Sequence, residues 1–86
     1  MPGYQVTSKY APAAGGGLSA PGEHYTLTDP GCGVSFLRTV SFYRTPGGRE
    51  VATDGIGCRI AGDGDLFRAL RDAVAEYDSA ARAVRQ

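Results

Sequence analysis

Hydrophobic and polar residues alternate most regularly in the middle of the chain, in the stretch VSFLRTVSFYR over residues 34–44. Its even positions form one apolar row that is broken only by Arg38. The members of that row are Val34, Phe36, Val40 and Phe42. Alternation with a period of two is typical of a strand with one buried face. We therefore predict the central strand of a sheet over residues 34–44.

Two shorter stretches alternate as well, GYQVTSKY over residues 3–10 and EHYTLT over residues 23–28. The second stops at DPGCG, residues 29–33, where Asp-Pro-Gly favours a turn, so we predict a short strand there. The segment between them, residues 11–22, is rich in Gly, Pro and Ala and has too few apolar groups to offset the entropy of ordering. We predict a flexible loop or linker for it. The first stretch is then either a strand that returns to the sheet or a flexible arm.

The central strand leads into the turn sequence TPGGR, residues 45–49, which favours a β-hairpin. If the loop has three residues and Gly48 is left-handed, Thr45 faces Arg49. This register puts the apolar rows of both strands on one face, whereas a slip by one residue would expose one row. The predicted pairs further along are Val34 with Ile60, Phe36 with Cys58 and Arg38 with Ile56. Asp54 then falls on the apolar face, which predicts a bulge there.

The last part of the chain has the three-and-four spacing of an amphipathic helix, with an aspartate at the cap position. Its apolar face includes Leu70, Val74, Tyr77 and Ala81, which must bury against the sheet or against a second copy in a homodimer. Strands followed by one helix predict an α+β fold. We expect a small antiparallel sheet of three to five strands with one C-terminal amphipathic helix, in a single domain over residues 1–86.

Charge and composition narrow the classes of function. Nine basic and nine acidic residues leave no net charge, so the overall basic field of a nucleic-acid binder is missing. We find neither a secretory signal nor an apolar run of ~20 residues, and we expect a cytoplasmic protein without membrane contact. Cys32, Cys58 and the single histidine, His24, are too few and wrongly spaced for a structural metal site. We expect free thiols and no cofactor.

Catalysis has little support in the sequence. His24, Asp29 and Cys32 are close along the chain and could combine a thiol nucleophile with a base and a carboxylate. Structural roles explain the three residues as well. Asp29 would be a turn residue, Cys32 a packed thiol and His24 a ring on the outer face of a strand. The glycine-rich DGIG and GDGD complete neither a phosphate loop nor a calcium loop. We therefore predict that the protein is not an enzyme.

The outward face of the predicted hairpin is the better candidate for function. The residues that we predict to contact a partner are Tyr43, Arg44, Arg49, Val51 and Arg59. Bases of single-stranded nucleic acid stack on aromatic rings while guanidinium groups meet phosphates. Tyrosine and arginine are also over-represented in the hot spots of protein interfaces. A merely solvated face is the third interpretation.

The stretch SFYRTPGGREVATDGIGCRIAGDGDLFRALRDAV, residues 41–74, resembles the transcriptional coactivator family of small single-strand DNA-binding proteins, the positive-cofactor-four type. The order of a strand with aromatics, a Pro/Gly hairpin, a Gly-Ile strand and a long helix carries the likeness. It implies a twisted sheet, a helix-mediated dimer and bound single-stranded DNA, with Tyr43, Arg44 and Arg49 as the matching positions. The family's lysines before its Gly-Ile strand are missing here, and with them most of the counterion-release contribution to affinity.

From these patterns we expect a small non-enzymatic binding module, a regulator, adaptor or inhibitor that docks its sheet face or hairpin on a macromolecular partner. A protein partner is the first expectation. Single-stranded nucleic-acid binding is the alternative. The second alternative is a structural subunit of a larger assembly, in which residues 11–22 would order on a neighbour.

Overall fold

Five strands form one antiparallel sheet, and a long helix covers one of its faces, in a computed structural model that describes residues 3–10 and 21–85, the last three by their backbone alone. The elements in chain order are β1 (Gln5–Tyr10), β2 (Glu23–Thr28), α1 (Ser35–Arg38), β3 (Thr39–Arg44), β4 (Glu50–Thr53), β5 (Arg59–Ile60) and α2 (Asp65–Arg85). The strand order in the sheet follows the chain, so each strand pairs with the next. The predicted α+β fold with a C-terminal helix is confirmed.

The first stretch of the chain is a strand and not a free arm. β1 pairs antiparallel with β2, with Val6 opposite Leu27 and Tyr10 opposite His24. The pairing is irregular between Val6 and Ser8, where Thr7 is extra. Most of the predicted loop between the two strands, residues 11–20, lies outside the described residues.

The prediction of a strand over residues 34–38 is wrong, because Ser35–Arg38 form the single turn of α1 and Val34 is its N-cap. On the side of β2 no strand is available to pair with these residues, because β2 ends at Thr28. Their backbone forms the following hydrogen bonds instead. The backbone N–H of Asp29 donates to the carbonyl of Arg38 at 2.8 Å, and that of Leu37 donates to Val34 at 3.0 Å. Period-two alternation predicts a strand only where a neighbouring strand supplies the ladder.

The predicted register of the hairpin formed by β3 and β4 is confirmed. Ser41 pairs with Thr53 and Phe42 with Ala52, and Gly48 has a φ of +94°, the left-handed conformation that closes the loop.

The pairs predicted further along this hairpin, Val34 with Ile60, Phe36 with Cys58 and Arg38 with Ile56, are wrong. β5 instead pairs with β4, with Ala52 opposite Ile60. The reason is the turn at Asp54, whose Oδ1 accepts hydrogen bonds from the backbone N–H groups of Ile56 at 3.0 Å and Cys58 at 2.9 Å. Asp54 therefore starts a second hairpin where we predicted a bulge.

The core lies between the sheet and α2. Its buried members are Tyr25, Leu27, Val40, Phe42, Ala52, Phe67, Leu70 and Val74. Leu70 and Val74 of the predicted apolar helix face are thus buried against the chain's own sheet, while Tyr77 and Ala81 are exposed. No helix in the described ranges has both the length and the apolar character needed to cross a bilayer.

Candidate functional site

The face of the sheet that points away from α2 is here called the open face. Side chains alternate across a strand, so the register assigns it every residue that is out of phase with the buried ones. Its members are Gln5, Ser8, Tyr10, His24, Thr26, Thr28, Thr39, Ser41, Tyr43, Val51, Thr53 and Arg59. Hydroxyl side chains and aromatic rings dominate this set, and Arg59 is its only residue of fixed charge.

The two faces of the sheet differ in charge. The five strands contain two carboxylates, Glu23 and Glu50, and both lie on the face that carries α2. Both carboxylates form ion pairs with Arg44, with N···O distances of 3.0 and 3.5 Å. The strands thus contribute no negative charge to the open face.

A row of aromatic rings crosses one end of the open face. The rings of Tyr10 and His24 have centroids 6.1 Å apart, and those of His24 and Tyr43 stack at 4.4 Å with an angle of 21° between their planes. Val51 continues the row on β4, opposite Tyr43. Tyr43 and Val51 are among the residues that the sequence predicts to contact a partner, whereas Tyr10 and His24 are not. The position of Tyr10 depends on the pairing of β1 with β2 across residues 11–20, and the stack of His24 on Tyr43 depends on the register of β2 with β3. No local pattern specifies either pairing.

Tyr43 is fixed by contacts within the chain. Its hydroxyl donates to the carbonyl of Pro21 at 2.6 Å, and a Cβ on Gly22 would lie 2.9 Å from its ring. One face of the ring lies against His24. That ring face is therefore closed to a nucleotide base, and Tyr43 serves first to hold the end of the segment before β2.

Arg44 does not share a surface with Tyr43. As the next residue of β3 it points to the side of α2, where its guanidinium lies 3.5 Å from Asp78 as well as bonding Glu23 and Glu50. The structure therefore separates Arg44 from the other four residues that we predicted to contact a partner.

Arg44 belongs to an ion-pair cluster that fastens α2 to the sheet. Its other members are Lys9, Glu23, Glu50 and Asp78; the Lys9 ammonium lies 3.2 Å from Glu23 and 3.1 Å from Asp78. Burial disfavours the charged form of Asp78, but hydrogen bonds from Tyr25 and Lys9 and the neighbouring cations outweigh it and lower the pKa. The pKa of Glu23 is lowered in the same way, since contacts with Lys9 and Arg44 outweigh burial.

Arg49 and Arg59 are the cations left for a partner near the open face. Both are exposed, and in the part of the chain that the structure describes neither guanidinium pairs with a carboxylate. Arg49 stands beside the β3–β4 turn, where its backbone N–H donates to Thr45 Oγ1 at 3.0 Å. Arg59 lies on β5 opposite Thr53.

The candidate catalytic residues are not brought together. His24 lies at the start of β2 and Asp29 directly after its end, so roughly 16 Å of strand separates them. Asp29 is buried and accepts a hydrogen bond from the backbone of Gly31 at 3.1 Å, which is a turn contact.

Cys32 and Cys58 are free thiols. Among the described residues no three histidine, cysteine or acidic side chains cluster in a way that could hold a metal ion.

Exposed apolar side chains gather near α1, at a place that we call the apolar tip. Val34 and Phe36 are each 42% exposed and Ile56 is 70% exposed. The backbone N–H of Gly55 donates to the carbonyl of Phe36 at 2.7 Å, which joins α1 to the β4–β5 turn. Neighbouring exposed apolar side chains are typical of contact surfaces.

Comparison with known proteins adds no relative whose site could be matched to these residues. The likeness to the coactivator family thus stays a prediction, and the site rests on geometry alone. No protein-family model, no curated protein and no solved structure matches this chain.

Proposed function

We propose that this protein is a non-enzymatic binding module, a regulator, adaptor or inhibitor that docks the open face of its sheet on a protein partner. One observation carries the proposal: the strand carboxylates and their ion pairs all lie on the side of α2. The other side is left as a surface of hydroxyl groups, rings and Arg59, without cover from a described element. Interfaces between proteins are poor in acidic residues and enriched in tyrosine and arginine, which fits this surface.

The state of Tyr43 favours a protein over nucleic acid. A base-stacking platform needs ring faces turned to solvent. Here the stacking of Tyr43 with His24 takes up a ring face of each, and the Tyr43 hydroxyl is bound to Pro21. The remaining ring surfaces and the serine and threonine hydroxyl groups of the open face suit the mixed apolar and polar contacts of a protein interface.

Ser41 offers a direct test, because it is exposed at the centre of the open face between Thr26 and Thr53. The wild-type chain, Ser41→Arg and a control variant, Ala75→Arg on the exposed side of α2, would be used as baits under identical conditions. A partner of the open face is retained by the wild type and the control and lost with Ser41→Arg. The purified partner should then bind the three chains in the same order in a titration. Equal binding to all three chains would refute docking through this face.

Single-stranded nucleic acid is the second candidate, supported by the exposed guanidiniums of Arg49 and Arg59 beside a face without strand carboxylates. A labelled single-stranded oligonucleotide would be titrated at low and at moderate salt. Binding by this route falls steeply with salt and weakens in the double variant Arg49→Ala/Arg59→Ala, but not in the control Arg71→Ala on α2. No binding at low salt eliminates this candidate.

A homodimer through α2 is a further proposal, and the packing limits how it could form. Leu70 and Val74 are already buried against the sheet, so only the exposed Tyr77 and Ala81 of the predicted helix face remain for a second copy. Light scattering on the wild type and on Ala81→Arg measures the molar mass in solution and decides whether α2 forms a dimer interface. A dimeric mass that Ala81→Arg halves supports the helix interface, and a monomeric wild type removes it.

A further inference from the structure

The sheet has a free edge at β1, which pairs with β2 on one side and with no described strand on the other. Such an edge presents backbone donors and acceptors that can pair with another chain. The extra residue at Thr7 interrupts the ladder of β1, as bulges on edge strands commonly do. The bulge divides the edge into Ser8–Tyr10 and the part before it, which consists of Gly3, Tyr4 and the first two residues of β1, Gln5 and Val6.

The part of the edge before the bulge forms one wall of a groove, and α2 forms the other. The groove has a volume of about 510 Å³ beside Tyr4 and Leu66 and continues past Tyr77. Half-buried apolar side chains, Tyr4, Leu66 and Ala73 among them, lie at its bottom. An extended segment that paired with β1 would place every second side chain into this groove, because side chains alternate along a strand.

The wall of the groove that α2 forms is acidic. Asp65, Asp72 and Glu76 line it from α2, and no lysine or arginine is among the described residues that line the groove. Asp65 has a contact with Arg68 at 3.5 Å, whereas Asp72 and Glu76 form no ion pair with any described residue. An occupant with lysine or arginine would lay its aliphatic stem on the apolar bottom and bring its charge to these carboxylates.

The charges also argue against this chain as its own occupant. A second copy pairing β1 with β1 would bring its Asp72 and Glu76 near the same two residues of the first copy, which is repulsive. Residues 11–20 contain no lysine or arginine, so they cannot neutralise the acidic wall.

From this combination we propose that the groove between β1 and α2 binds an extended, basic segment of a partner protein, added to the sheet as a sixth strand. Beside Gly3–Val6 the segment has about five residues, and those that face α2 are apolar or are lysine and arginine. The site is distinct from the open face and does not depend on it.

The probe is a fluorescent peptide of sequence TKTVTKT, which turns two lysines and a valine to one side when extended. Its binding is followed by anisotropy and by the amide NMR signals of residues 3–6. We expect the double variant Asp72→Lys/Glu76→Lys to weaken binding about tenfold or more. The control Asp63→Lys, an exposed aspartate outside the groove, should bind like the wild type.

Two further comparisons separate strand addition from loose attraction between charges. A peptide with methyl groups on alternate backbone nitrogens keeps its charge but loses ladder hydrogen bonds, and it should bind at least tenfold more weakly. Ser41→Arg on the open face should leave the affinity unchanged, which keeps this result independent of the function proposed above. The inference is overturned if the peptide fails to bind at millimolar concentration and low salt, or if groove variants or methylation leave its affinity unaltered.

Discussion

The hydroxyl of Tyr25 donates a hydrogen bond of 2.9 Å to the carboxylate of Asp78, 53 residues further along the chain. Tyr25 is buried under α2, and Asp78 lies on the second half of that helix. Lys9 from β1 and Arg44 from β3 approach the same carboxylate. One side chain of α2 thus contacts three neighbouring strands, and it holds the helix on the sheet beyond Val74, the last buried residue among the side chains that the structure describes.

Removal of this charge should destabilise the fold. Asp78→Asn leaves Lys9 and Arg44 with fewer anionic partners and weakens the bond from Tyr25. We expect a loss of about 1–3 kcal/mol in the free energy of unfolding, the range for a charged hydrogen-bonded group. Urea denaturation followed by circular dichroism measures it. The matched control is Asp72→Asn on the same helix, which should change stability by less than about 0.5 kcal/mol; equal losses in the two variants would speak against the cluster.

The same cluster makes stability depend on pH at the acidic end. The pKa values of Asp78 and Glu23 are lowered in the folded protein from ordinary values of 3.8 and 4.5. The stabilisation is therefore present above those ordinary values and is lost as pH falls through the lowered ones. Unfolding free energy measured from about pH 6 down to about pH 2 should decline for the wild type and decline less for Asp78→Asn. Parallel curves for the two proteins would contradict this assignment.

The β3–β4 hairpin could be predicted in detail because two independent signals in the sequence agreed. Turn chemistry required a left-handed residue at Gly48, and the register that follows from it put Phe42 and Ala52 on one buried face. The error at residues 34–38 arose where the alternation had no partner strand, since β2 ends at Thr28. At Asp54 the sequence predicts a bulge within a continuing strand, whereas the Asp54 side chain instead binds the backbone of a turn.

The candidate site could be predicted only in part, for a similar reason. Alternation along β3 puts Tyr43 outward and Arg44 inward, yet the ion-pair cluster that Arg44 joins also contains Lys9 and Asp78, from opposite ends of the chain. The aromatic row depends on the pairing of β1 with β2. Contacts that join distant segments leave no local signal in a single sequence.

The two glycines of the β3–β4 turn should respond differently to the same substitution. Gly48 has a φ of +94°, and apart from its two chain neighbours no described residue has an atom within 4 Å of a Cβ built on it, so Gly48→Ala costs backbone strain without a clash. We expect a loss of roughly 1 kcal/mol. Gly47 lies outside the left-handed region, and Gly47→Ala should be neutral or slightly stabilising, because alanine lowers the entropy of the unfolded chain. Thermal unfolding of both variants checks this, and a greater loss for Gly47→Ala would mean that the loop has a different conformation.

Gly22 connects the start of β2 to the aromatic row, and its substitution tests that connection. A Cβ there would lie 2.5 Å from the carbonyl oxygen of Arg44 and 2.9 Å from the ring of Tyr43, at a φ of +124°. Neither neighbour can yield easily, since one is strand backbone and the other is stacked on His24. Gly22→Ala should therefore cost about 2 kcal/mol or more, as strain and overpacking add.

Tyr43→Phe is the matched variant for this test, because it removes only the hydrogen bond to Pro21 and keeps the ring. We expect it to cost about 1 kcal/mol, as for a single hydrogen bond, and to preserve the stack with His24. Two-dimensional NMR of the His24 ring signals distinguishes the two cases: Gly22→Ala shifts them because Tyr43 must move, and Tyr43→Phe leaves them near their wild-type positions. If Gly22→Ala unfolds like the wild type and leaves these signals in place, Tyr43 does not pack over Gly22.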